Sequence, residues 1–108
     1  MAQRFSGKVA VVTGSGRGIG EGIVLRFAAE GAKIVINDVN EADAKNVVEK
    51  VRALKGQATA VIGSVASREV VQNMVDKAVK EYGTLDIMVN NAGITRDSIL
   101  HKMTDEQW

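Results

Sequence analysis

The stretch VAVVTGSGRGIG, residues 9–20, decides the fold of this chain. Its first four residues form an apolar run typical of a buried strand, and a helical pattern begins near Ile19. Between them lie four glycines, at positions 14, 16, 18 and 20. Because glycine has no Cβ, the turn can adopt positive φ and approach a ligand closely, while a helix N-terminus presents unpaired N–H groups to an anion. The stretch therefore predicts a strand, a phosphate-binding loop and a helix in succession.

The rest of the chain alternates short apolar runs with helical patterns. Strands are predicted at residues 8–13, 33–38, 57–63 and 86–90, because each is apolar or β-branched and is bounded by turn residues. The apolar positions of the three predicted helices recur every three or four residues. They are Ile19, Ile23 and Phe27; then Ala44, Val47, Val48 and Val51; then Val71, Met74, Val75, Ala78 and Tyr82.

Capping residues support these boundaries. Asn40 and Ser67 stand where N-caps belong, and Gly31, Gly56 and Gly83 follow where the helices should end. Alternating strands and helices imply parallel strands joined by right-handed crossovers. The prediction is an α/β protein, a doubly wound parallel sheet with the glycine loop at the carboxyl end of its first strand.

The composition excludes several functional classes. The 108 residues fit one domain, and 14 Lys and Arg balance 13 Asp and Glu without a basic stripe, which argues against nucleic-acid binding. Without cysteine and with one histidine, a metal site is not expected. The apolar runs are too short for a membrane span, and the first residues lack the apolar core of a signal peptide. A cytoplasmic location is the expectation.

The glycine loop departs from the two best-known phosphate motifs. In a G-x-G-x-x-G reading, the sixth position is Ile19 when counted from Gly14 and Glu21 when counted from Gly16. No Gly-Lys-Ser or Gly-Lys-Thr follows, which disfavours a P-loop nucleoside triphosphatase. Residues 13–20 match T-G-x-x-x-G-x-G instead.

With that loop and the later segment Asn90-Asn91-Ala92-Gly93, the sequence resembles the short-chain dehydrogenase/reductase family over its whole length. Residues 5–9 and 94–97 are most similar to its 3-oxoacyl-[acyl-carrier-protein] reductase branch. The resemblance implies a Rossmann-like sheet in the order 3-2-1-4, here limited to four strands and three helices. It also implies an NAD(P)-dependent oxidoreductase acting on carbonyl or 3-oxoacyl thioester substrates.

The resemblance assigns a set of residues to a nicotinamide dinucleotide. The loop residues would lie near the pyrophosphate, the segment after the fourth strand would lie beside the ribose, and Asn90 would tie neighbouring strands together. Where the family carries an aspartate and a hydrophobic residue near the adenine, this chain has serine and valine. The assigned residues are Gly14, Ser15, Arg17, Gly18, Ile19, Gly20, Asp38, Ser64, Val65, Asn91, Ala92 and Gly93.

Two residues bear on the choice of cofactor. Asp38 ends the second predicted strand, where a carboxylate accepts hydrogen bonds from the ribose hydroxyls and repels a 2′-phosphate. Arg17 points the other way, since a basic residue in the family's loop can meet the 2′-phosphate of NADP. An unpaired carboxylate facing a phosphate is costly, so NAD is favoured over NADP.

No catalytic residue is predicted within this chain. The family's proton donor is a tyrosine four residues before a lysine, assisted by a serine. The one tyrosine is Tyr82, which is followed four residues later by Asp86 and lies on the apolar side of a predicted helix. We expect it to pack in the core. Ser98, His101 and Lys102 are close in sequence, but nothing orients them as a triad.

The last residues bear on completeness. Residues 104–107 match a capping box, which predicts the start of a helix, but the predicted helix is cut short at Trp108. We therefore expect residues 1–108 to be one N-terminal, half-Rossmann dinucleotide-binding domain of a longer reductase, inactive without its catalytic portion. Two alternatives stay open: a stand-alone nucleotide-binding module, and an engineered or proteolytic structural fragment.

The fourth strand provides an expectation about partners. In the family's sheet order this strand is interior, so here the segment from Leu85 to Asn90 would form an exposed edge with unpaired backbone groups. Such an edge favours association with a second copy of the chain. We therefore expect a homo-oligomer, with no nucleic-acid or membrane partner.

Overall fold

The computed structural model describes residues 4–16 and 18–91, which form a parallel sheet and three helices. The sheet order is β3-β2-β1-β4, and every adjacent pair is parallel. This confirms the predicted fold and strand order; β1 and β4 are one residue shorter at each end than predicted. The elements are β1 (Val9–Val12), α1 (Gly18–Ala29), β2 (Lys33–Asp38), α2 (Glu41–Ala53), β3 (Gln57–Ile62), α3 (Arg68–Tyr82) and β4 (Ile87–Val89).

The central strand β1 is buried on both faces. Ala10 and Val12 pack with residues of α1 and α2, while Val9 and Val11 pack with Met74 and other residues of α3. Successive side chains of a strand point to opposite faces, so an unbroken apolar run is what a strand covered on both sides requires. The helices therefore lie on both faces of the sheet, which is the doubly wound arrangement.

The buried face of α1 differs from the predicted one. Its buried residues are Gly20, Val24 and Ala28, whereas Ile19 is 71% exposed and Ile23 and Phe27 pack only at the margin of the core. Both sets have four-residue spacing, so periodicity alone did not separate them. Small side chains let α1 approach the sheet closely, which places the larger ones at the sides of the contact.

The ends of α2 and α3 largely follow the predicted capping. The side chain of Asn40 accepts a hydrogen bond from the Asp43 amide, and that of Ser67 accepts one from the Val70 amide. Gly83 ends α3 with a left-handed φ of 89°. The end of α2 is different, because Lys55 rather than Gly56 takes the positive φ, at 65°.

The segment before β1 is held by the buried carboxylate of Glu30. Arg4 Nε donates to Glu30 Oε1 at 2.5 Å, and Arg26 Nε donates to Glu30 Oε2 at 2.6 Å. The Phe5 amide donates to the Glu30 carbonyl, and the Phe5 ring meets Phe27 edge-on with centroids 4.9 Å apart. Hydrogen bonds from Arg4 and then Arg26 lower the pKa of Glu30 to about 2.

This ion pair predicts a loss of stability in acid. A carboxyl group whose pKa is depressed by folding stabilises the fold above its unfolded pKa of about 4.5, and that contribution is lost as pH falls through the folded value. We therefore expect the urea concentration at the unfolding midpoint to decrease as the pH is lowered from about 4.5 to about 2. Urea unfolding at several pH values measures it. In Glu30→Gln the fall over this window should be smaller; an equal fall would assign the effect to other carboxyl groups.

The outer edge of β4 carries no strand among the described residues. Ala10, Val11 and Val12 pair with Ile87, Met88 and Val89 in register on the other side, and all three β4 residues are half-buried. No described helix is both long and apolar enough to span a membrane.

Candidate cofactor site

The predicted site residues that the structure describes lie at the carboxyl edge of the sheet. The chain leaves β1 through residues 13–16 and enters α1 at Gly18. The strand β1 has β2 on one side and β4 on the other. The strand order therefore reverses beside β1, which makes the carboxyl end of β1 a topological switch point. In open α/β sheets, ligands bind in the crevice at such a switch point.

Gly20 packs against the backbone of Gly14 with no room for a side chain. A Cβ on Gly20 would overlap the Gly14 carbonyl oxygen and lie 2.7 Å from Asn91 Nδ2. Gly14 itself has a φ of 59°, and its carbonyl accepts a hydrogen bond from Asn91 Nδ2 at 3.0 Å. The start of α1, the loop and the end of β4 are therefore joined at one point, which admits no side chain at position 20.

The first turn of α1 is the part of the chain that is predicted to bind an anion. Gly18 has a φ of 64°, and a Cβ built on it would meet nothing within 4 Å. The first amides of a helix have no intrahelical acceptor, and they carry the positive end of its dipole. The space beside Gly18 is therefore open at the end of the helix where unpaired amides are expected, which fits a bound diphosphate.

Ser15 supports the loop from within. It is fully buried, and its amide donates to the Asn37 carbonyl at 2.7 Å. Its hydroxyl lies 2.7 Å from the Val12 carbonyl and accepts from the Asn37 amide at 3.0 Å. Because these groups are used inside the protein, the structure gives Ser15 a supporting role, and its direct contact with a cofactor stays a prediction.

Asp38 lies beside the loop, at the end of β2. Its Oδ2 accepts from the Gly16 amide at 2.9 Å, and its Oδ1 accepts from the Asn40 amide at 3.0 Å. A carboxylate offers about four lone-pair sites, so both oxygens retain capacity for a ligand. The side chain is half-buried, which leaves it accessible from the crevice.

Ser64 and Val65 follow β3 on the same edge. The Gly63 amide donates to the Asp38 carbonyl at 3.0 Å, which places this turn next to the end of β2. Ser64 is exposed and its hydroxyl accepts from the Ala66 amide, whereas Val65 packs against the core on the α3 side. Of the two, only Ser64 presents a polar group at the edge.

The two asparagines after β4 differ from expectation. The tie to a neighbouring element is made by Asn91, whereas Asn90 Nδ2 is buried without a hydrogen-bond partner. The expected strand-tying role of Asn90 is therefore not what the side chain does here. Arg17, Ala92 and Gly93 lie outside the described residues.

Comparison with known proteins identifies the family. A family model described as short chain dehydrogenase matches residues 8–108. The chain belongs to the short-chain dehydrogenase family. Its curated relatives include 3-oxoacyl-[acyl-carrier-protein] reductases from Thermotoga maritima, 38% identical over 97% of this chain, and from Staphylococcus epidermidis, 39% identical over 94%. The chain spans 43% and 42% of those two proteins.

Solved structures agree with this assignment. A hydroxysteroid dehydrogenase from Escherichia coli superposes with a TM-score of 0.80 at 41% identity, over 84% of this chain and 39% of that one. An L-sorbose reductase from Gluconobacter frateurii, complexed with NADPH and L-sorbose, gives 0.80 at 37% identity over 86% and 36%. A 7α-hydroxysteroid dehydrogenase complexed with NADH gives 0.78 at 39% identity over 82% and 34%. The three proteins share this architecture, although their names refer to sugar and steroid substrates.

Tyr82 of this short-chain dehydrogenase chain is half-buried and packs against the core. It ends α3 and packs against the cluster that contains Val9 and Met74, and Lys33 Nζ lies 5.8 Å from its ring centroid. Burial and then the Glu81 charge raise the pKa of its hydroxyl, the opposite of what a proton donor requires. Because Lys33 begins β2, Tyr82 lies at the sheet edge opposite the loop. The predicted packing role is confirmed.

Three contributors to the site were not identified from the sequence. The backbone amides of Gly16 and Asn40 donate hydrogen bonds to the Asp38 carboxylate. The side-chain amide of Asn37 donates to the carbonyls of Val61 and Gly63. Gly16 was visible as part of the loop, but the partner of its amide depends on how two strands align. No group of three or more His, Cys, Asp or Glu that could hold a metal ion occurs within residues 4–16 and 18–91.

Proposed function

We propose that this chain is the cofactor-binding part of a nicotinamide-dependent oxidoreductase and that it carries no catalytic proton donor of its own. The observation that supports this most strongly is the convergence, at the switch point beside β1, of open helix amides at Gly18 and a carboxylate at Asp38. A positive helix end suits a diphosphate, and a carboxylate at the end of the second strand suits ribose hydroxyls.

The roles of the chain's residues follow from their contacts. The amides of Gly18, Ile19 and Gly20 bind the diphosphate, while Gly14 and Ser15 hold the loop in shape. Asp38 accepts hydrogen bonds from the adenosine ribose. Ser64 would lie toward the adenine, and residues 91–93 would lie beside the ribose, as the family resemblance implies. The cofactor supplies a hydride, and the chain orients it.

The preferred cofactor is NAD rather than NADP. Asp38 places a negative charge where a 2′-phosphate would lie, and a like-charge contact costs several kcal/mol by order of magnitude. Asp43 lies next to Asp38 and the loop, because a Cβ built on Gly16 would be 2.9 Å from the Cβ of Asp43. Arg17 favours NADP, and we give Asp38 the greater weight because both of its oxygens are fixed by backbone amides.

The substrate class is a carbonyl compound, with 3-oxoacyl thioesters as the best-supported members. The supporting observation is the identity of 38% and 39% to two proteins named 3-oxoacyl-[acyl-carrier-protein] reductases. The chain covers less than half of those relatives, so substrate selection rests on residues with no counterpart among the described ones.

Titration of the chain with NADH, followed by cofactor fluorescence, tests the cofactor proposal. We expect saturable binding with a dissociation constant at least about tenfold lower for NADH than for NADPH, since about 1.4 kcal/mol of repulsion suffices for that ratio. Asp38→Asn removes the charge at constant size and should bring the two constants together. Tighter binding of NADPH by the unmodified chain would overturn the preference, and binding of neither would overturn the function.

A second copy of the chain is the proposed macromolecular partner. The support is the outer edge of β4, where Ile87, Met88 and Val89 are half-buried and pair only with β1 among the described strands. Such an edge is a template for strand pairing. Light scattering at tens of micromolar should show a dimer or larger species, and a monodisperse monomer would contradict this.

A further inference from the structure

The Asp38 carboxylate is fixed at both oxygens by the backbone. Its Oδ2 accepts from the Gly16 amide at 2.9 Å, and its Oδ1 accepts from the Asn40 amide at 3.0 Å. One donor comes from the loop after β1 and the other from the residue that caps α2. Since a hydrogen bond at each oxygen restricts rotation of the group, the orientation of the carboxylate depends on the position of the loop.

Gly16 gives this carboxylate the room it occupies. A Cβ at position 16 would lie 2.8 Å from Asp38 Oδ2, 2.9 Å from Asp38 Cγ and 2.9 Å from Asp43 Cβ. Gly16 is not among the glycines with positive φ, so its backbone conformation is open to any residue. What glycine provides here is space, and a side chain would displace the carboxylate or the loop.

We propose that Gly16 is a positioning residue that determines cofactor specificity, by letting the loop close onto Asp38 and fix its carboxylate toward the adenosine ribose. The inference rests on the proposed function. The closed arrangement places a fixed negative charge where a ribose 2′-hydroxyl is accepted and a 2′-phosphate is rejected. With a side chain at position 16 the carboxylate turns away, so that NADH loses an acceptor and NADPH meets less repulsion.

The test uses four variants of the whole chain: Gly16→Ala, Asp38→Asn, the double variant, and Gly22→Ala. Gly22 lies in α1, and a Cβ on it would meet nothing within 4 Å, so it is the matched glycine control. Dissociation constants for NADH and NADPH are measured by fluorescence titration, and thermal melting checks that each variant is folded. The diagnostic quantity is the ratio of the two constants, because a general loss of structure weakens both cofactors and leaves the ratio unchanged.

We expect Gly16→Ala to reduce the preference for NADH at least about tenfold, which corresponds to about 1.4 kcal/mol. In the Asp38→Asn background the same substitution should change the ratio less than about twofold, because the carboxylate is already absent. Gly22→Ala should keep the original ratio. An unchanged ratio in folded Gly16→Ala, or an equal effect in both backgrounds, overturns the inference alone.

Two further outcomes complete the design. If Gly16→Ala does not fold, hydrogen exchange of the Gly16 amide carries the test. We expect this amide to be protected in the unmodified chain and to lose that protection at least about tenfold in Asp38→Ala, while equal exchange in the two proteins overturns the inference. If the unmodified chain binds neither cofactor while its melting shows a folded protein, the proposed function fails, and the specificity role of Gly16 fails with it.

Discussion

Replacing Gly20 with alanine is expected to destabilise the fold by about 2–3 kcal/mol and to weaken NADH binding more than about tenfold. A Cβ at this position overlaps the Gly14 carbonyl oxygen and lies 2.7 Å from Asn91 Nδ2. The obstacle is backbone, which cannot rotate away as the end of a side chain can. Either α1 or the loop must move, and both form the proposed diphosphate site. Urea unfolding measures the stability, and fluorescence titration measures the binding.

Gly22→Ala is the matched control for this substitution. Both glycines lie in α1, but a Cβ at position 22 is free of contacts within 4 Å. Alanine exceeds glycine in helix propensity by about 1 kcal/mol, so this variant should be as stable as the original chain or more stable. Equal stability and NADH affinity in the two variants would show that the contact between Gly20 and Gly14 is not as close as described.

The chain alone is expected to give no NADH- or NADPH-dependent reduction of an acetoacetyl thioester above the buffer blank. Carbonyl reduction needs a proton donor placed beside the hydride. Tyr82 is packed against the α3-side core, and its hydroxyl pKa is raised by burial. It also lies at the sheet edge opposite the glycine loop. Loss of NADH absorbance with time measures the rate.

Tyr82→Phe sharpens this assay. If the unmodified chain shows a rate above the blank and this variant abolishes it, Tyr82 acts in catalysis and the core assignment is wrong. We expect both proteins to match the blank. A positive control is a complete 3-oxoacyl reductase assayed under the same conditions, which shows that the substrate and cofactor are competent.

Much of the fold follows from local signals in the sequence. The four strands contain short apolar or β-branched runs, and Asn40, Ser67 and Gly83 cap helices as predicted. The strand order was implied by the family resemblance, and the structure confirms it. These features are predictable because a cap or a buried strand is determined by residues within a few positions of each other.

Other features depend on contacts that local patterns do not record. The buried face of α1 is set by how closely the helix approaches the sheet, which favours Gly20 and Ala28 over Ile19. The hydrogen bonds from Ser15 to Asn37 and from Gly16 to Asp38 each join residues that are 22 positions apart. Their geometry follows from the register of β1 against β2, since pairing of Val12 with Ile36 brings the two strand ends together.

Mapping NADH binding by backbone amide chemical shifts tests the central claim most directly. The claim is that the amides at the start of α1 hold the diphosphate and that Asp38 holds the ribose. We predict that the largest shifts on adding NADH occur at Gly18, Ile19, Gly20 and Asp38, while amides around Lys33 and Tyr82, at the opposite edge of the sheet, stay unchanged. Saturable binding with its largest shifts at that opposite edge, and none at residues 18–20, would contradict the account.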